Sequence, residues 1–439
     1  MADKARTYEL QDVAEPVLYR EMFPYNRLPR ILFESETIPM APAEEIWTTD
    51  TTFRDGQQSR PPYTVEQIVD LYTLMHRLDG GSGLIRQSEF FLYSKKDRAA
   101  VDKCRELNFK YPQVTGWIMA RKDDFKLVRD MGLHETGILV SCSDYHIFLK
   151  LKKTRRQAMD MYLDIIHAAL DCGIVPRCHF EDLTRADFYG FVVPFAVELM
   201  KLRQRYGIDV KIRLCDTLSF GVPWPEATLP RSVPKLVAGL IHEAGVPGRL
   251  LEWHGHNDFH KVLINPATAW LYGCAACNGS LLGIGERTGN TPIEGAVIEA
   301  AQLRGQDDRV NYAVITEIGE YYRDKLSYEV PHNYPLVGRD FNTTRAGIHV
   351  DGLLKSEEIY SCFDTQKLLN RPIAVAITDK SGAAGIKHWI QGHYGIDVAK
   401  DDQRLLTIRA KVEAEYEAGR NTSISDDEMH AWYKQAFGA

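Results

Sequence analysis

The side chains best suited to chemistry lie in two short segments that are far apart in the chain. Residues 252–258 read Glu-Trp-His-Gly-His-Asn-Asp, so His254 and His256 flank a single glycine. In a β-strand this spacing points both imidazoles to one face, where they can bind one metal ion. Residues 50–58 read Asp-Thr-Thr-Phe-Arg-Asp-Gly-Gln-Gln and supply a carboxylate, Asp55. Two histidines and one carboxylate with open coordination positions are typical of a catalytic divalent ion rather than a closed structural site.

Arg54 directly precedes this predicted metal ligand. A guanidinium in this position suggests that an oxygen atom of the substrate becomes negative during the reaction, because a fixed cation stabilises such a charge. The combination of a metal site and an adjoining cation predicts an enzyme.

The composition limits the classes of partner. The 439 residues are 44% hydrophobic and carry a formal net charge of −7 with no basic block, which argues against nucleic acid as the main partner. No run of about 18 apolar residues occurs, so no membrane span is expected. The N-terminal segment mixes both charge signs and lacks the apolar centre of a secretory signal. These features predict a cytoplasmic protein that acts on small molecules.

Eight cysteines are scattered along the chain, at positions 104, 142, 172, 178, 215, 274, 277 and 362. In a long chain without a secretory signal, reduced thiols are the expected state. Cys274 and Cys277 form a C-x-x-C pair, but no second pair is placed to complete a zinc site. They are therefore interpreted as small buried residues.

Apolar, β-branched runs alternate with amphipathic stretches between residues 46 and 303, which is the signature of β-α units and a parallel sheet. The predicted strands are Ile46–Phe53, Gly83–Phe90, Val114–Ala120, Thr136–Cys142, Val175–Glu181, Val210–Thr217, Leu250–His256 and Asn278–Ile284. The predicted helices between them are Thr64–Leu78, Lys122–Met131, Thr154–Leu170, Asp187–Tyr206, Pro230–Ala244, Pro266–Leu271 and Thr291–Leu303. This series favours a closed (β/α)8 TIM barrel over an open doubly wound sheet.

The candidate chemical residues lie at the C-terminal ends of these predicted strands. They are Arg54 and Asp55 after the first strand, Glu89 on the second, Ser143, Asp144 and His146 after the fourth, Glu181 at the fifth, Asp216 and Thr217 at the sixth, His254 and His256 at the seventh, and Gly285, Glu286 and Arg287 after the eighth. TIM barrels carry their active sites on this face. The clustering was not used to assign the strands, so it supports the barrel independently.

Three regions follow from this pattern. Residues 1–45 are expected to form an irregular, proline-containing arm around the barrel, which spans residues 46–304. Residues 305–439 differ in character and form a smaller, mainly helical C-terminal region. Its predicted helices, Tyr312–Leu326 and Asp401–Gly419, are joined by a loop-rich stretch.

The motifs resemble those of the Claisen-condensing branch of the DRE-TIM metallolyase superfamily, which comprises isopropylmalate, homocitrate, citramalate and Re-type citrate synthases. Four segments carry the resemblance in the same chain order: Asp-Thr-Thr-Phe-Arg-Asp-Gly-Gln-Gln, His-Gly-His-Asn-Asp, Gly-Ile-Gly-Glu-Arg-Thr-Gly-Asn at 283–290, and Gly-Ile-His-Val-Asp-Gly at 347–352. The resemblance covers residues 45–385. Within this branch, the stretches 57–63, 86–91 and 253–260 look most like Re-citrate synthases, with the 2-phosphinomethylmalate and 2-phosphonomethylmalate synthases as a close sister group.

The resemblance implies condensation of acetyl-CoA with a 2-oxo acid, giving a 3-hydroxy-3-carboxy acid and CoA. It implies that Asp55, His254 and His256 bind a divalent ion, with Mn²⁺, Mg²⁺ or Co²⁺ as candidates and Zn²⁺ as a further one. The ion would act as a Lewis acid on the chelated 2-oxo acid. Arg54 would stabilise the alkoxide that develops on the attacked carbonyl.

The resemblance also assigns the remaining site residues. His349 matches the base that removes a proton from the acetyl group, and Tyr360 matches the tyrosine often paired with it. Arg177, Glu181 and Thr217 match residues that grip the reactants, with Glu181 grouped among the catalytic residues. Further substrate contacts are Gln58, His146 and Glu89, and the acetyl-CoA arm is assigned to Gly285, Glu286, Arg287 and Asn290.

The acceptor predicted from the resemblance is oxaloacetate, whose second carboxylate needs a charge-assisted partner. Arg177 is the preferred contact for that carboxylate, ahead of Arg86 and Gln58. Gln57 differs from the acidic residue common in isopropylmalate and homocitrate synthases, so their substrate specificity is not carried over.

Three alternative functions stay open. The acceptor could be phosphinopyruvate, phosphonopyruvate or 2-oxoglutarate, which all need a cationic pocket. The chain could be a lyase of the hydroxymethylglutaryl-CoA type, although such lyases lack the Gly-Ile-His-Val-Asp-Gly segment. It could also be a silent metal-binding scaffold. The resemblance further implies a homodimer in which the region after the barrel of one chain brings His349 close to the metal of the other.

Overall fold

Eight parallel strands pair in chain order, and the eighth pairs back with the first, so the sheet closes into a barrel. The structure is a computed structural model that describes residues 8–353 and 355–438. The barrel strands are β1 (Trp47–Asp50), β2 (Ile85–Phe91), β3 (Gln113–Ile118), β4 (Glu135–Ser141), β5 (Val175–Glu181), β6 (Lys211–Asp216), β7 (Leu251–Gly255) and β8 (Ala276–Ser280), and the short β9 (Thr291–Pro292) pairs with β8. Each predicted strand is present, which confirms the (β/α)8 fold.

Helices alternate with these strands. They are α1 (Val65–Asp79), α2 (Lys95–Glu106), α3 (Phe125–Asp130), α4 (Arg155–Asp171), α5 (Val193–Tyr206), α6 (Val233–His242), α7 (Ile264–Leu271) and α8 (Ile293–Arg304). Capping boxes begin α1 and α4: the Thr64 and Thr154 side chains accept hydrogen bonds from the backbone N–H groups of Gln67 and Gln157, respectively. The local sequence therefore defines where these helices begin.

The helix α2 was absent from the helices predicted from sequence. Of its 12 residues, only Ala100, Val101 and Cys104 are buried. Such a narrow apolar stripe does not produce a clear helical period in the sequence. Its capping residue, Ser94, accepts a hydrogen bond from the Asp97 backbone N–H and marks the start that the periodicity misses.

The main apolar core lies between the barrel and its helices. Outward-facing strand residues such as Ile138, Phe180 and Leu214 are 0% exposed. The Phe180 ring stacks on Phe195 of α5 with ring centroids 5.3 Å apart. Because side chains alternate along each strand, burying this outward set leaves the inward positions free for polar residues that reach the mouth.

Residues 8–45 form an arm that is almost without regular secondary structure. The fully buried Arg155 at the start of α4 holds it: the guanidinium donates to the Gln11 backbone oxygen at 3.0 Å and also binds Asp144 and Asp187. A second contact joins the Val17 N–H to an Asp144 carboxylate oxygen at 2.7 Å. These contacts fit the predicted arm along the barrel surface.

A second compact unit begins at Tyr312, after a division between residues 311 and 312, whereas the sequence predicted the division at 304/305. Its elements are α9 (Val314–Asp324), β10 (Thr343–Thr344), α10 (Gly347–Leu353), α11 (Thr365–Leu369), β11 (Ala374–Val375), α12 (Gly382–Tyr394), α13 (Gln403–Glu417) and α14 (Asp426–Phe437). Its core is apolar and includes Trp389, Leu405 and Met429. Across the described residues, no helix is long and apolar enough to cross a membrane.

The stretch predicted to be loop-rich contains α10 and α12. Glycines within the α12 sequence, at 382, 385 and 392, lower its intrinsic helix propensity. The helix forms because Ile386, Trp389 and Ile390 are buried in the core of this unit. Tertiary packing therefore decides the structure of this segment.

Candidate active site

Asp55, His254 and His256 come together at the C-terminal mouth of the barrel. One possible ligand atom from each residue lies within 4.8 Å of the others, and all three side chains are buried. The Asp55 Oδ2 atom is 3.9 Å from Nε2 of each histidine. The residues predicted from their spacing as metal ligands therefore form a cluster of the size that one divalent ion needs.

Two asparagines orient this cluster. The His254 Nδ1 atom is 2.8 Å from the Asn278 Oδ1 atom, which fixes the proton on Nδ1 and leaves Nε2 free to bind a metal ion. The Asn290 amide donates to Asp55 Oδ2 at 2.6 Å, while Asn290 Oδ1 is buried and has no hydrogen-bond partner in the described residues. An unsatisfied amide oxygen beside two imidazoles and a carboxylate fits a divalent ion as the missing partner.

The electrostatics of the cluster agree with that donor set. Burial would raise the pKa of the Asp55 carboxyl, but Arg54 and the two histidines outweigh burial and lower it. Burial, followed by the neighbouring His256, lowers the pKa of His254. At neutral pH the cluster therefore offers a carboxylate and neutral imidazoles, which are the protonation states that bind a metal ion.

Arg54 lies beside the cluster and is held in one orientation. Its Nε atom donates to Glu89 Oε2 at 3.0 Å, and its Nη1 atom donates to Asp55 Oδ1 at 3.3 Å. The guanidinium lies 5.7 Å from the centre of the Trp117 ring. With the side chain only 11% exposed, the guanidinium is oriented in a largely dry site, which is what stabilisation of a developing oxyanion requires.

A layer of charged residues supports the mouth from inside the barrel. The fully buried Glu89 carboxylate accepts one hydrogen bond from Arg54 Nε and another from Arg213 Nη1, each at 3.0 Å. Arg213 also binds Glu252, and that carboxylate accepts a hydrogen bond from Thr49. In the register of β6 and β7, Arg213 pairs with Glu252 two residues before the position of His254. This network lies directly below the metal layer and holds Glu89 in position.

Arg177 does not lie where the predicted acceptor contact requires it. It pairs in register with Lys211, one layer further towards the N-terminal ends of the strands. Its guanidinium binds Glu135 and lies 3.4 Å from Glu89 and 3.5 Å from Glu252. This buried cation already contacts three carboxylates, so it is not assigned to the acceptor anion.

Two other candidates for that anion differ in their surroundings. Arg86 binds Glu45 and stacks on the Trp47 ring at 4.0 Å, so its charge is also matched. Gln58 is exposed in the short helical turn that follows Asp55. In the same loop, the Nε and Nη1 atoms of Arg60 are buried and have no hydrogen-bond partner in the described residues. Arg60 does not stand out in the sequence, since nothing in its spacing distinguishes it from other loop arginines.

A second polar group lies at the ends of β4 and β5. His146, in the π-helical turn Tyr145–Lys150, has its Nδ1 atom 3.0 Å from Glu181 Oε2. The Ser141 hydroxyl also donates to Glu181. Burial would raise the pKa of Glu181, but the nearby His146 and Ser141 outweigh it and lower the pKa to about 2. The structure therefore brings together the predicted residues His146 and Glu181, with the carboxylate charged.

The loops after β6 and β8 complete the mouth. The Thr217 hydroxyl accepts a hydrogen bond from the Asp182 backbone N–H at 2.8 Å, and within the described residues its own proton makes no hydrogen bond, so it can donate to a ligand. Arg287 pairs with Asp258 at 2.9 Å and donates to the Thr217 backbone oxygen at 2.6 Å. Its backbone φ of 54° shows that this turn is tightly constrained. Gly285 approaches the Asn290 side chain so closely that a Cβ atom would collide with it.

The predicted base and its partner lie in the second unit. The ring centroids of His349 and Tyr360 are 4.4 Å apart at an interplanar angle of 36°. His349 is in α10, while Tyr360 follows a short helical turn and is 46% exposed. The structure therefore brings these two predicted residues together, and their roles stay predictions.

Comparison with known proteins gives relatives from the group of enzymes that the sequence motifs resemble. The HMGL-like family matches residues 45–321. The chain is 59% identical to a "Citrate (Re)-synthase" of Syntrophus aciditrophicus over 97% of this chain and 68% of that one. It is 52% identical to a protein of the same name from Clostridium kluyveri, over 96% of this chain and 94% of that one.

More distant relatives include "2-phosphinomethylmalate synthase" of Streptomyces hygroscopicus, which is 35% identical over 98% of both chains. The crystal structure of hydroxymethylglutaryl-CoA lyase from Pseudomonas aeruginosa covers 66% of this chain and 95% of its own, with a TM-score of 0.50 and 17% identity. At that identity the likeness supports the barrel fold alone.

Proposed function

The chain belongs to the HMGL-like family, and we propose that it condenses acetyl-CoA with oxaloacetate to give citrate and CoA, as a metal-dependent Re-citrate synthase. The observation that carries the proposal is the identity of 59% and 52% with two proteins of that name over almost the whole chain. The cluster of Asp55, His254 and His256 beside Arg54 supplies matching chemistry. The enzyme is thus an acyltransferase that converts the acetyl group to an alkyl group on transfer.

The reaction has three parts. A base removes a proton from the acetyl methyl group, the resulting carbon attacks the keto carbon of oxaloacetate, and water then hydrolyses the thioester and releases CoA. A divalent ion bound by Asp55, His254 and His256 would polarise the keto group as a Lewis acid. Arg54 is placed to stabilise the negative charge on the former keto oxygen, because Glu89 holds the guanidinium beside the metal cluster.

The proton transfer is assigned to His349 with Tyr360, and Glu181 with His146 orients the reactants. The 4.4 Å contact between the His349 and Tyr360 rings supports their joint action. The charged state of Glu181, together with its neighbour His146, supports a role in holding a polar group of the substrate. Thr217, Gln58 and the loop of Gly285, Glu286, Arg287 and Asn290 keep their proposed substrate and acetyl-CoA contacts.

The alternative is a 2-phosphinomethylmalate or 2-phosphonomethylmalate synthase, and the relative from Streptomyces hygroscopicus favours it over other acceptors. Both reactions need a cation for the distal anion of the acceptor. Arg60 is the candidate in place of Arg177: its guanidinium stacks on the Tyr63 ring at 3.9 Å, and its Nε and Nη1 atoms have no hydrogen-bond partner in the described residues, so they can donate to an anion. Homocitrate synthesis and lyase activity rank lower.

The acceptor itself is expected to be oxaloacetate. An apolar acceptor such as 2-oxoisovalerate should be rejected by at least tenfold in kcat/KM, because it would leave the two buried nitrogen atoms of the Arg60 guanidinium without a partner. The measurement is kcat/KM for oxaloacetate, phosphonopyruvate, 2-oxoglutarate and 2-oxoisovalerate under identical metal conditions. A higher value for the branched acid would overturn the assignment, while a clear preference for phosphonopyruvate would replace it with the alternative.

The assembly and location are also parts of the proposal. We expect a cytoplasmic homodimer that uses Mn²⁺, Mg²⁺ or Co²⁺, in which His349 acts close to the metal of the partner chain. Sedimentation of the protein under assay conditions is expected to give the coefficient of a dimer. An active monomer would contradict it.

A further inference from the structure

The arm of residues 8–44 lies outside the region that the HMGL-like family matches. Part of it, from Arg20 to Pro29, lines a cavity of about 270 Å³ together with the loops after β4, β5, β6 and β7. The arm is anchored there by the Tyr145 hydroxyl, which donates to the Leu18 backbone oxygen at 2.7 Å. The arm therefore adds a wall to the mouth that the family barrel does not supply.

The cavity carries an excess of positive charge. Arg20, Arg27 and Arg185 line it together with one acid, Asp258. Arg185 is bound to Asp182, and Asp258 to Arg287. Within the described residues, no carboxylate forms a hydrogen bond or ion pair with Arg20 or Arg27, and the Arg20 guanidinium lies 5.6 Å from the centre of the Tyr145 ring. Two guanidinium groups are thus free to bind an anion, and their planar donors suit phosphate oxygens.

The same cavity offers aromatic faces. Tyr25 is 94% exposed and is held at a backbone φ of 59°, which is unusual for a bulky residue. Phe220 and Phe259 line the wall next to it, with ring centroids 6.0 Å apart. Aromatic faces combined with guanidinium groups are the chemistry that binds a planar base carrying phosphates.

The cavity adjoins the proposed active site. Asp258 is two residues beyond the metal-cluster residue His256, and its partner Arg287 belongs to the loop that ends at Asn290. At 270 Å³ the cavity is smaller than typical ligand pockets of about 300–1,000 Å³. It therefore suits one end of a long ligand rather than the whole of it.

We propose that this cavity binds an adenine nucleotide, and that the nucleotide is the 3′-phosphoadenosine diphosphate end of acetyl-CoA. The assignment to acetyl-CoA rests on the proposed function, whereas nucleotide binding rests on the cavity alone. Arg20 and Arg27 bind the phosphates, and the exposed Tyr25 ring stacks on the base. The arm thus makes a binding site for the part of the cofactor that does not react.

The test is calorimetric titration of the protein with CoA, dephospho-CoA, ADP, ATP and pantetheine. The double variant Arg20→Gln/Arg27→Gln is expected to weaken CoA binding about tenfold, since two exposed charge-assisted contacts are lost. The loss of affinity in this double variant should be smaller for dephospho-CoA, which lacks the 3′-phosphate. Tyr25→Ala should weaken the binding of every ligand that contains adenine. Pantetheine, which has neither base nor phosphate, should bind the variants as it binds the unaltered protein.

The matched control is Arg30→Gln, which removes the same charge from the same arm outside the cavity lining. It should leave CoA binding unchanged. Equal CoA affinity in the double variant and the unaltered protein overturns the proposal, and so does an equal loss in the control. A third outcome is that ADP or ATP binds, that this binding depends on Arg20 and Arg27, and that CoA does not bind. In that case the cavity is a site for a free nucleotide, and the proposed function with acetyl-CoA is wrong.

Discussion

Removing divalent ions with a chelator is expected to abolish the condensation, and adding Mn²⁺, Mg²⁺ or Co²⁺ is expected to restore it. The Asp55, His254 and His256 donors lie within 4.8 Å of one another in protonation states that bind a metal ion. Without the ion, the keto group of the acceptor loses its Lewis acid, and the transition state loses several kcal/mol of stabilisation. The measurement is the rate of CoA release before and after chelation.

Variants of the ligands separate metal binding from folding. Asp55→Ala and His254→Ala should lose bound metal, measured by elemental analysis, while their thermal unfolding stays cooperative, because both residues lie at the barrel mouth outside the apolar core between barrel and helices. The control is His167→Ala, which removes a half-buried histidine on α4 that contacts Tyr206. Full activity of the metal-free enzyme would contradict the assignment of these residues as ligands of a catalytic metal ion.

The second large effect is expected at Arg54. Replacing it with lysine should lower kcat by a factor of about 10²–10³, which is the usual cost of losing one donor to a developing oxyanion. A lysine ammonium cannot reproduce the planar guanidinium that donates to Glu89 and Asp55 together. The measurement is kcat at saturating substrates, with thermal unfolding as a check of the fold.

A matched control for that change is Arg249→Lys, since Arg249 pairs with Asp209 on the surface away from the mouth. It should keep a normal kcat. A near-normal kcat for Arg54→Lys would remove Arg54 from the catalytic residues, whatever the metal dependence.

Much of the fold could be predicted because its determinants are local. Apolar, β-branched runs alternate with amphipathic stretches along the chain, so the eight strands and their order followed from the sequence. The structure confirms every one of these strands, with ends shifted by a few residues. The pairing of His254 with His256 was predictable because i, i+2 spacing at a strand fixes a common face, and Asp55 was predicted to join them because it follows the first strand at the same end of the barrel.

Other features depend on neighbours that the sequence does not reveal. Whether Arg177 reaches a substrate depends on strand register, and in the barrel it lies a layer below the mouth among three carboxylates. The support of His254 by Asn278 comes from pairing between β7 and β8 and has no motif of its own. The helix α12 depends on core packing rather than on propensity. Each of these three features depends on contacts between residues that are far apart in the sequence.

The most direct test of the proposed function is product identification from acetyl-CoA and oxaloacetate with and without an added divalent ion. The proposed function predicts citrate and free CoA in equal amounts, formed only when the ion is present. CoA release without citrate, citrate formation that survives complete removal of metal, or no turnover of oxaloacetate under conditions in which another 2-oxo acid reacts would contradict it.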